Sequence, residues 1–139
     1  TTLSIQHGIE KQCVVLEQRQ DMPELYLCMD VAVLPSYREG IPRALMEAAA
    51  MGVAIAASDI RGCREVIVDG KTGLLFPLKD VDGLTRSVHT LLADTGVRQR
   101  LANAGQQRVL NEYTESGTAQ RLINFYEELL GKHSTATDS

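Results

Sequence analysis

The stretch VAVLPSYREGIPRALMEAAAMGVAIAAS (Val31–Ser58) holds two short apolar runs separated by a helical segment. The first run, VAVLPS (Val31–Ser36), is nearly all apolar, as a parallel strand covered on both faces should be. Pro42 suits the first turn of a helix, where its missing N–H is no loss, and Gly40 would permit an unusual backbone angle just ahead of it. The reading is a helix over Pro42–Met51 whose EAAAMG run packs closely on a sheet. VAIAAS (Val53–Ser58) then repeats the strand pattern.

Outward from this unit the alternation continues. Upstream, CVVLE (Cys13–Glu17) is short and β-branched, and DMPELYLCMD follows as one or two helical turns opened by Asp21 with Pro23 early in them. Downstream, GLLFP (Gly73–Pro77) reads as another strand after the Gly-rich turn in VDGKTG. From Asp80 the period changes to 3.6, placing Val81, Leu84, Val88, Leu91 and Leu92 on one helical face. Two further helices follow, with Leu101, Val109, Leu122, Phe125, Tyr126 and Leu129 as core candidates. Residues 1–131 are read as one domain and the polar residues 132–139 as a disordered tail. The fold class is α/β, doubly wound, with a mostly parallel Rossmann-like sheet and helices on both faces.

Composition narrows the function. The chain has 139 residues, 44% of them hydrophobic, which fits one soluble domain or a piece of one. A net charge of −4 gives no support to general nucleic-acid binding. Cys13, Cys28 and Cys63 form no C-x-x-C pair, and His7, His89 and His133 have no metal spacing, so neither a disulfide framework nor a zinc site is expected. A reducing, cytoplasmic setting is the simpler expectation. No run approaches the roughly 20 apolar residues of a spanning helix, and the N-terminal residues do not read as a signal sequence.

Two glutamates are the chemical signal. Glu39 precedes the expected helix and Glu47 lies about five residues into it, roughly 7–8 Å along the axis at 1.5 Å per residue. Loops from the C-terminal end of a parallel strand into a helix are where open α/β sheets bind ligands, and the free N–H groups and dipole there favour phosphate. A diphosphate resting on that end would have a carboxylate near the group on each side of it. Ionised carboxylates only accept hydrogen bonds, so each suits the hydroxyls of a diol. A nucleotide-sugar has this layout. An acidic residue at a helix start and a solvated glutamate are equally compatible with the spacing alone.

Over Cys13–Tyr126 the chain resembles the C-terminal, donor-binding half of a family-4 (group 1) retaining glycosyltransferase of the GT-B type. The resemblance is carried by PSYREGIPRALMEAAAMGVAIAASDIRGCREVIVDGKTGLLFPLKD, where Glu39 and Glu47 match the family's E-x7-E motif, and by the flanking DVAVLPS. It implies that Glu39, with Gly40 and Ile41, meets the donor sugar, that Arg43 and Ala44 meet the diphosphate, and that Glu47 meets the ribose. Pro42 has no amide hydrogen to offer. It also implies metal-independent transfer with retention of anomeric configuration, no cofactor, a UDP-sugar donor in the family sense, and a glycan or lipid-linked acceptor. The GIPRALMEA form is similar to the branch that builds bacterial surface glycans and their lipid-linked precursors.

Arg38, Arg64 and Glu65 are secondary site candidates, and Arg61 lies in the same loop region. Cys63 is read as a small semi-buried thiol and not as a nucleophile. The family's domain normally begins with earlier strands, a Gly-rich turn and a basic pair, and the acceptor is bound by an N-terminal domain. From this the isolated chain is expected to be inactive as a transferase. It is also expected to self-associate through an exposed sheet edge, and the full-length enzyme is expected to work at the cytoplasmic face of the inner membrane. The alternatives are a non-catalytic GT-B module serving assembly or interaction, and a sugar-nucleotide epimerase on the same scaffold.

Overall fold

The computed structural model describes residues 2–17 and 19–113. Its centre is a three-stranded parallel sheet in the order β1 (Val31–Leu34), β2 (Ala54–Ser58), β3 (Leu74–Phe76). Helices α1 (Thr2–Gln6), α2 (Met22–Leu27), α3 (Arg43–Ala50), α4 (Arg61–Val66), α5 (Val81–Ala93) and α6 (Thr95–Glu112) surround it.

β2 explains the two-sided packing. All five of its residues are buried, and successive side chains of a strand point to opposite faces. Ile55 and Ala57 join one apolar cluster with Tyr26, Leu45, Ala48, Ala49, Val66 and Val109. Ala54 and Ala56 join the other with Phe76, Leu91, Leu101 and Ala102. Helices α2, α3 and α4 therefore cover one face and α5 the other, with α6 contributing to both, which is the doubly wound arrangement. Small residues in β2 let the helices approach closely, and Ala48 and Ala49 of the EAAAMG run do pack there.

Local signals set the ends of the elements. Gly52 has φ +73, a left-handed conformation. Its N–H reaches the Ala49 carbonyl and the Val53 N–H reaches the Ala48 carbonyl, both at 2.9 Å, so α3 ends in a Schellman motif. The Gln106 side chain donates to the Ala50 carbonyl at 2.8 Å. Asp80 caps α5 through the Gly83 N–H and Asp94 caps α6 through the Val97 N–H.

Several sequence readings change. CVVLE forms no strand: Val14 and Val15 are 81% and 70% exposed, and among the described residues no strand lies beside them to complete a ladder. β1 is not covered on both faces, since Val33 is exposed and a groove of about 1000 Å³ opens beside the strand between Val14, Leu25 and Met29. On α5, Leu91 is buried while Val81 and Leu92 are exposed: Val81 opens the helix, and Leu92 is turned about 100° from Leu91. Pro42 stands at the N-cap, one position earlier than expected. Gly40 is not among the glycines with positive φ. The expected third late helix with Leu122, Phe125, Tyr126 and Leu129, and the tail at 132–139, lie outside the described residues.

The two faces of α5 give a paired test. Leu91→Ala should lower unfolding free energy by about 2–5 kcal/mol, whereas Leu92→Ala, at 54% exposure, should stay within about 0.5 kcal/mol. Urea denaturation of the two variants measures the difference, and equal losses would contradict this packing.

Candidate functional site

The loop after β1 carries Tyr37 to Ile41 to the N-terminus of α3. No side chain caps that helix; the Pro42 carbonyl accepts from Leu45 N at 3.1 Å and Met46 N at 3.3 Å. The amides of Arg43 and Ala44 lie in the first turn, where an α-helix supplies no acceptor. Their dipole end is thus left open to an anion.

The loop is held from beneath by α4. A methyl group on Gly62 would collide with the backbone carbonyl oxygens of both Gly40 and Glu39, so the loop sits in a notch that only glycine leaves vacant. The glycine whose missing side chain shapes this loop is therefore Gly62, while Gly40, expected to take an unusual backbone angle, has no positive φ. The same junction forms a concavity of about 510 Å³ lined by Glu39, Gly40, Ile41, Arg61 and Glu65. Glu39 is half-buried and Ile41 is 53% exposed. Arg61, Glu39 and Glu65 thus border one open bowl.

Glu47 projects elsewhere. It lines a second concavity of about 370 Å³ with Met22, Pro23, Tyr26, Ala50 and Met51. It also borders a third, of about 320 Å³, with Arg43, Met46, Val109, Leu110 and Tyr113. The Tyr26 hydroxyl lies 3.3 Å from Glu47 Oε2 and 3.3 Å from the Ala44 carbonyl oxygen. Burial raises the Tyr26 phenol above its ordinary value, and the charge and hydrogen bond of Glu47 raise it further. The two glutamates are thus in separate concavities around α3, with Glu39 and its loop before the helix and Glu47 on its exposed flank.

The secondary candidates fare differently. Arg64 is taken up by Asp59, with Nε 2.6 Å from Oδ1, and lines neither concavity. Arg38 is exposed and borders none of the three concavities. Glu65 lines the Glu39 bowl but is the fifth residue of six in α4, not an N-terminal one, because the helix starts at Arg61. Its carbonyl accepts from Tyr113 Oη at 2.5 Å and from Arg108 at 3.2 Å, which ties α6 to the back of the site.

Cys63 is fully buried, and burial raises its thiol above the ordinary range, with Glu39 and Asp59 adding to the effect. Asp80 and Asp82 have the Asp-x-Asp spacing of some metal sites, but Asp80 is engaged as the α5 cap at 2.8 Å from Gly83 N and pairs with Arg86 at 3.5 Å. Among the described residues no group of three or more His, Cys, Asp or Glu could hold a metal ion. Nor is any described helix long and apolar enough to cross a membrane. Sequence reasoning missed Tyr26 and Gly62 and treated Arg61 as a loop arginine; no spacing rule links position 26 to 47 or 62 to 40.

Comparison with known proteins adds a family. The model for glycosyl transferases group 1 matches residues 1–108. An N,N'-diacetylbacillosaminyl-diphospho-undecaprenol alpha-1,3-N-acetylgalactosaminyltransferase of Campylobacter jejuni is 38% identical over 115 residues, covering 83% of this chain and 30% of its own length. Sucrose-phosphate synthase from Thermosynechococcus elongatus superposes with a TM-score of 0.82 at 25% identity, over 94% of this chain and 33% of that one. Anabaena HepE in complex with UDP-glucose superposes at 0.83 and 21% identity, over 91% and 35%. The chain spans about a third of the length of these proteins.

Two tests follow from the packing at the loop. Gly62→Ala should destabilise the protein by about 1–3 kcal/mol, while Gly40→Ala, with open space around its Cβ, should change stability by less than about 0.5 kcal/mol; thermal melts of the two variants measure both. Iodoacetamide near pH 8 should modify the exposed Cys13 and Cys28 well before Cys63, by peptide mass mapping. The Cys63 thiol ionises above its unfolded value, so its share of stability is present below the ordinary thiol range. That share is lost as pH rises through the raised value.

Proposed function

The chain belongs to the glycosyl transferases group 1 family, and from that premise we propose that it is the donor-binding part of a retaining glycosyltransferase. In this reading it moves a sugar from a nucleotide-diphosphate sugar, of the UDP-sugar class, to a glycan or lipid-linked acceptor. The observation that carries the reading is the uncapped N-terminus of α3 with one glutamate in the loop before it and another on its flank. HepE, a structural neighbour, is described in complex with UDP-glucose, which supports the donor class. The Campylobacter jejuni relative, whose name includes a diphospho-undecaprenol, supports the lipid-linked acceptor.

Each residue then has a chemical task. Glu39 accepts hydrogen bonds from donor-sugar hydroxyls, with the backbone of Gly40 and Ile41 closing the bowl beside it. The amides of Arg43 and Ala44 and the α3 dipole hold the diphosphate, and the Arg43 guanidinium adds a fork suited to phosphate oxygens. Glu47 accepts from the ribose diol. As the glycosidic bond breaks, negative charge accumulates on the leaving diphosphate, and an N-terminus already oriented toward it stabilises that charge without reorganisation. Keeping the carboxylates to either side avoids repulsion with the phosphates. Arg61 offsets the paired charge of Glu39 and Glu65 in the bowl. No cofactor enters this scheme.

Calorimetric titration of the chain with UDP, UDP-sugars and a GDP control tests it. Saturable UDP binding is expected, weakened in Glu47→Ala by about tenfold to a hundredfold, the range for a hydrogen bond to a charged group. Equal binding by the Glu47→Ala variant would remove the ribose role. No saturable nucleotide binding by the folded wild-type chain would count against the donor reading and favour a non-catalytic module.

A further inference from the structure

Resting on the reading of Glu47 as the ribose carboxylate, we propose that Tyr26 is a positioning residue that aims Glu47 at the ribose diol. Glu47 sits on an exposed flank of α3, where a glutamate side chain would otherwise sample several rotamers. Tyr26 does not share that freedom. The residue is 5% exposed and belongs to the apolar cluster with Leu45 and Ala48, and Met22 and Met51 lie against the same cluster. Its hydroxyl lies beside the Glu47 carboxylate, and both residues line the same concavity.

The hydroxyl has one hydrogen and two acceptors at 3.3 Å, Glu47 Oε2 and the Ala44 carbonyl. A carboxylate offers about four lone-pair sites, so a hydrogen bond from Tyr26 occupies one and leaves the rest for a diol. A phenol is protonated at neutral pH, and burial with the nearby carboxylate moves its ionisation further up, so it is a donor there. Tyr26 therefore restricts the Glu47 carboxylate before the nucleotide arrives, and the rotamer freedom of Glu47 is lost in folding and not in binding. Met22, Pro23, Ala50 and Met51 supply an apolar wall on which a ribose or base face can lie. α2 thereby becomes part of the donor site, although it precedes β1 and carries none of the motif residues.

The experiment is titration of the full chain at neutral pH with UDP and with 2′,3′-dideoxyuridine diphosphate, using wild type, Tyr26→Phe, Glu47→Ala and the double variant. Phenylalanine keeps the buried ring and removes only the hydroxyl, and thermal melts verify that the variants fold. Tyr26→Phe should weaken UDP by about two- to tenfold, the scale of one net hydrogen bond. It should leave the dideoxy analogue unchanged, and it should cause no further loss in the Glu47→Ala background. Equal weakening of both nucleotides by Tyr26→Phe would make Tyr26 a packing residue and overturn the inference. So would loss of ribose discrimination in Glu47→Ala with full retention in Tyr26→Phe, which leaves the Glu47 reading standing. An unchanged preference for UDP in Glu47→Ala, or no saturable binding by wild type, would overturn both readings together.

Discussion

The absence of a side chain at position 62 governs where the Glu39 loop can lie. The carbonyls of Glu39 and Gly40 approach the backbone of α4 more closely than any Cβ would allow. That contact decides how the loop enters α3, and so which way Glu39 faces and where the first amides of the helix are presented. Cys63, next along α4, is fully buried in the apolar cluster with Ile55 and Val66, and burial raises its thiol above the ordinary range. The bowl formed by Glu39, Ile41, Arg61 and Glu65 is a consequence of two backbones meeting at a glycine.

Beneath the loop, β2 supplies the rigid reference. It is the central strand of the described sheet, and its alternating residues feed two separate apolar clusters. Parallel pairing with β1 on one side and β3 on the other brings the C-terminal ends of the strands to one edge. The loops that follow β1 and β2 leave from that edge; the first carries Glu39 and the second leads into Arg61 at the start of α4. α6 then braces the arrangement from the other direction, through Gln106 on the end of α3 and Tyr113 and Arg108 on the end of α4. Neither helix is long, and these side chains supply acceptors' partners that their own turns cannot.

Much of this was legible because it is local. The strand runs at 31, 54 and 74, the α3 segment and the Glu39 and Glu47 spacing all follow from periodicity, proline and glycine placement within a few residues. CVVLE had the same apolar pattern and failed as a strand, since a strand exists only with a neighbour to bond, which a local pattern cannot report. Val81 and Leu92 fit an apolar face on paper, yet only the packed arrangement shows that the sheet reaches Leu84, Val88 and Leu91 and stops short of them. Gly62 and Tyr26 act across 22 and 21 positions, on Gly40 and Glu47. Such partners become visible only when the chain is folded, because no sequence period connects them.

α3 carries the two kinds of demand on a single eight-residue element. Leu45, Ala48 and Ala49 on its inner side are buried against β2, while Glu47 between them in sequence lies on the outer flank. The alternation of 3.6 residues per turn separates these roles by direction but not by mechanics, since a short helix moves as a unit. Its C-terminus is pinned by the Gly52 turn and Gln106, and its N-terminus is steadied by the Glu39 loop resting on Gly62 and by the Tyr26 hydroxyl beside the Ala44 carbonyl. A change in the alanine face would therefore displace Arg43, Ala44 and Glu47 together. In the proposed donor site, binding and stability would then be coupled through the packing of this one helix.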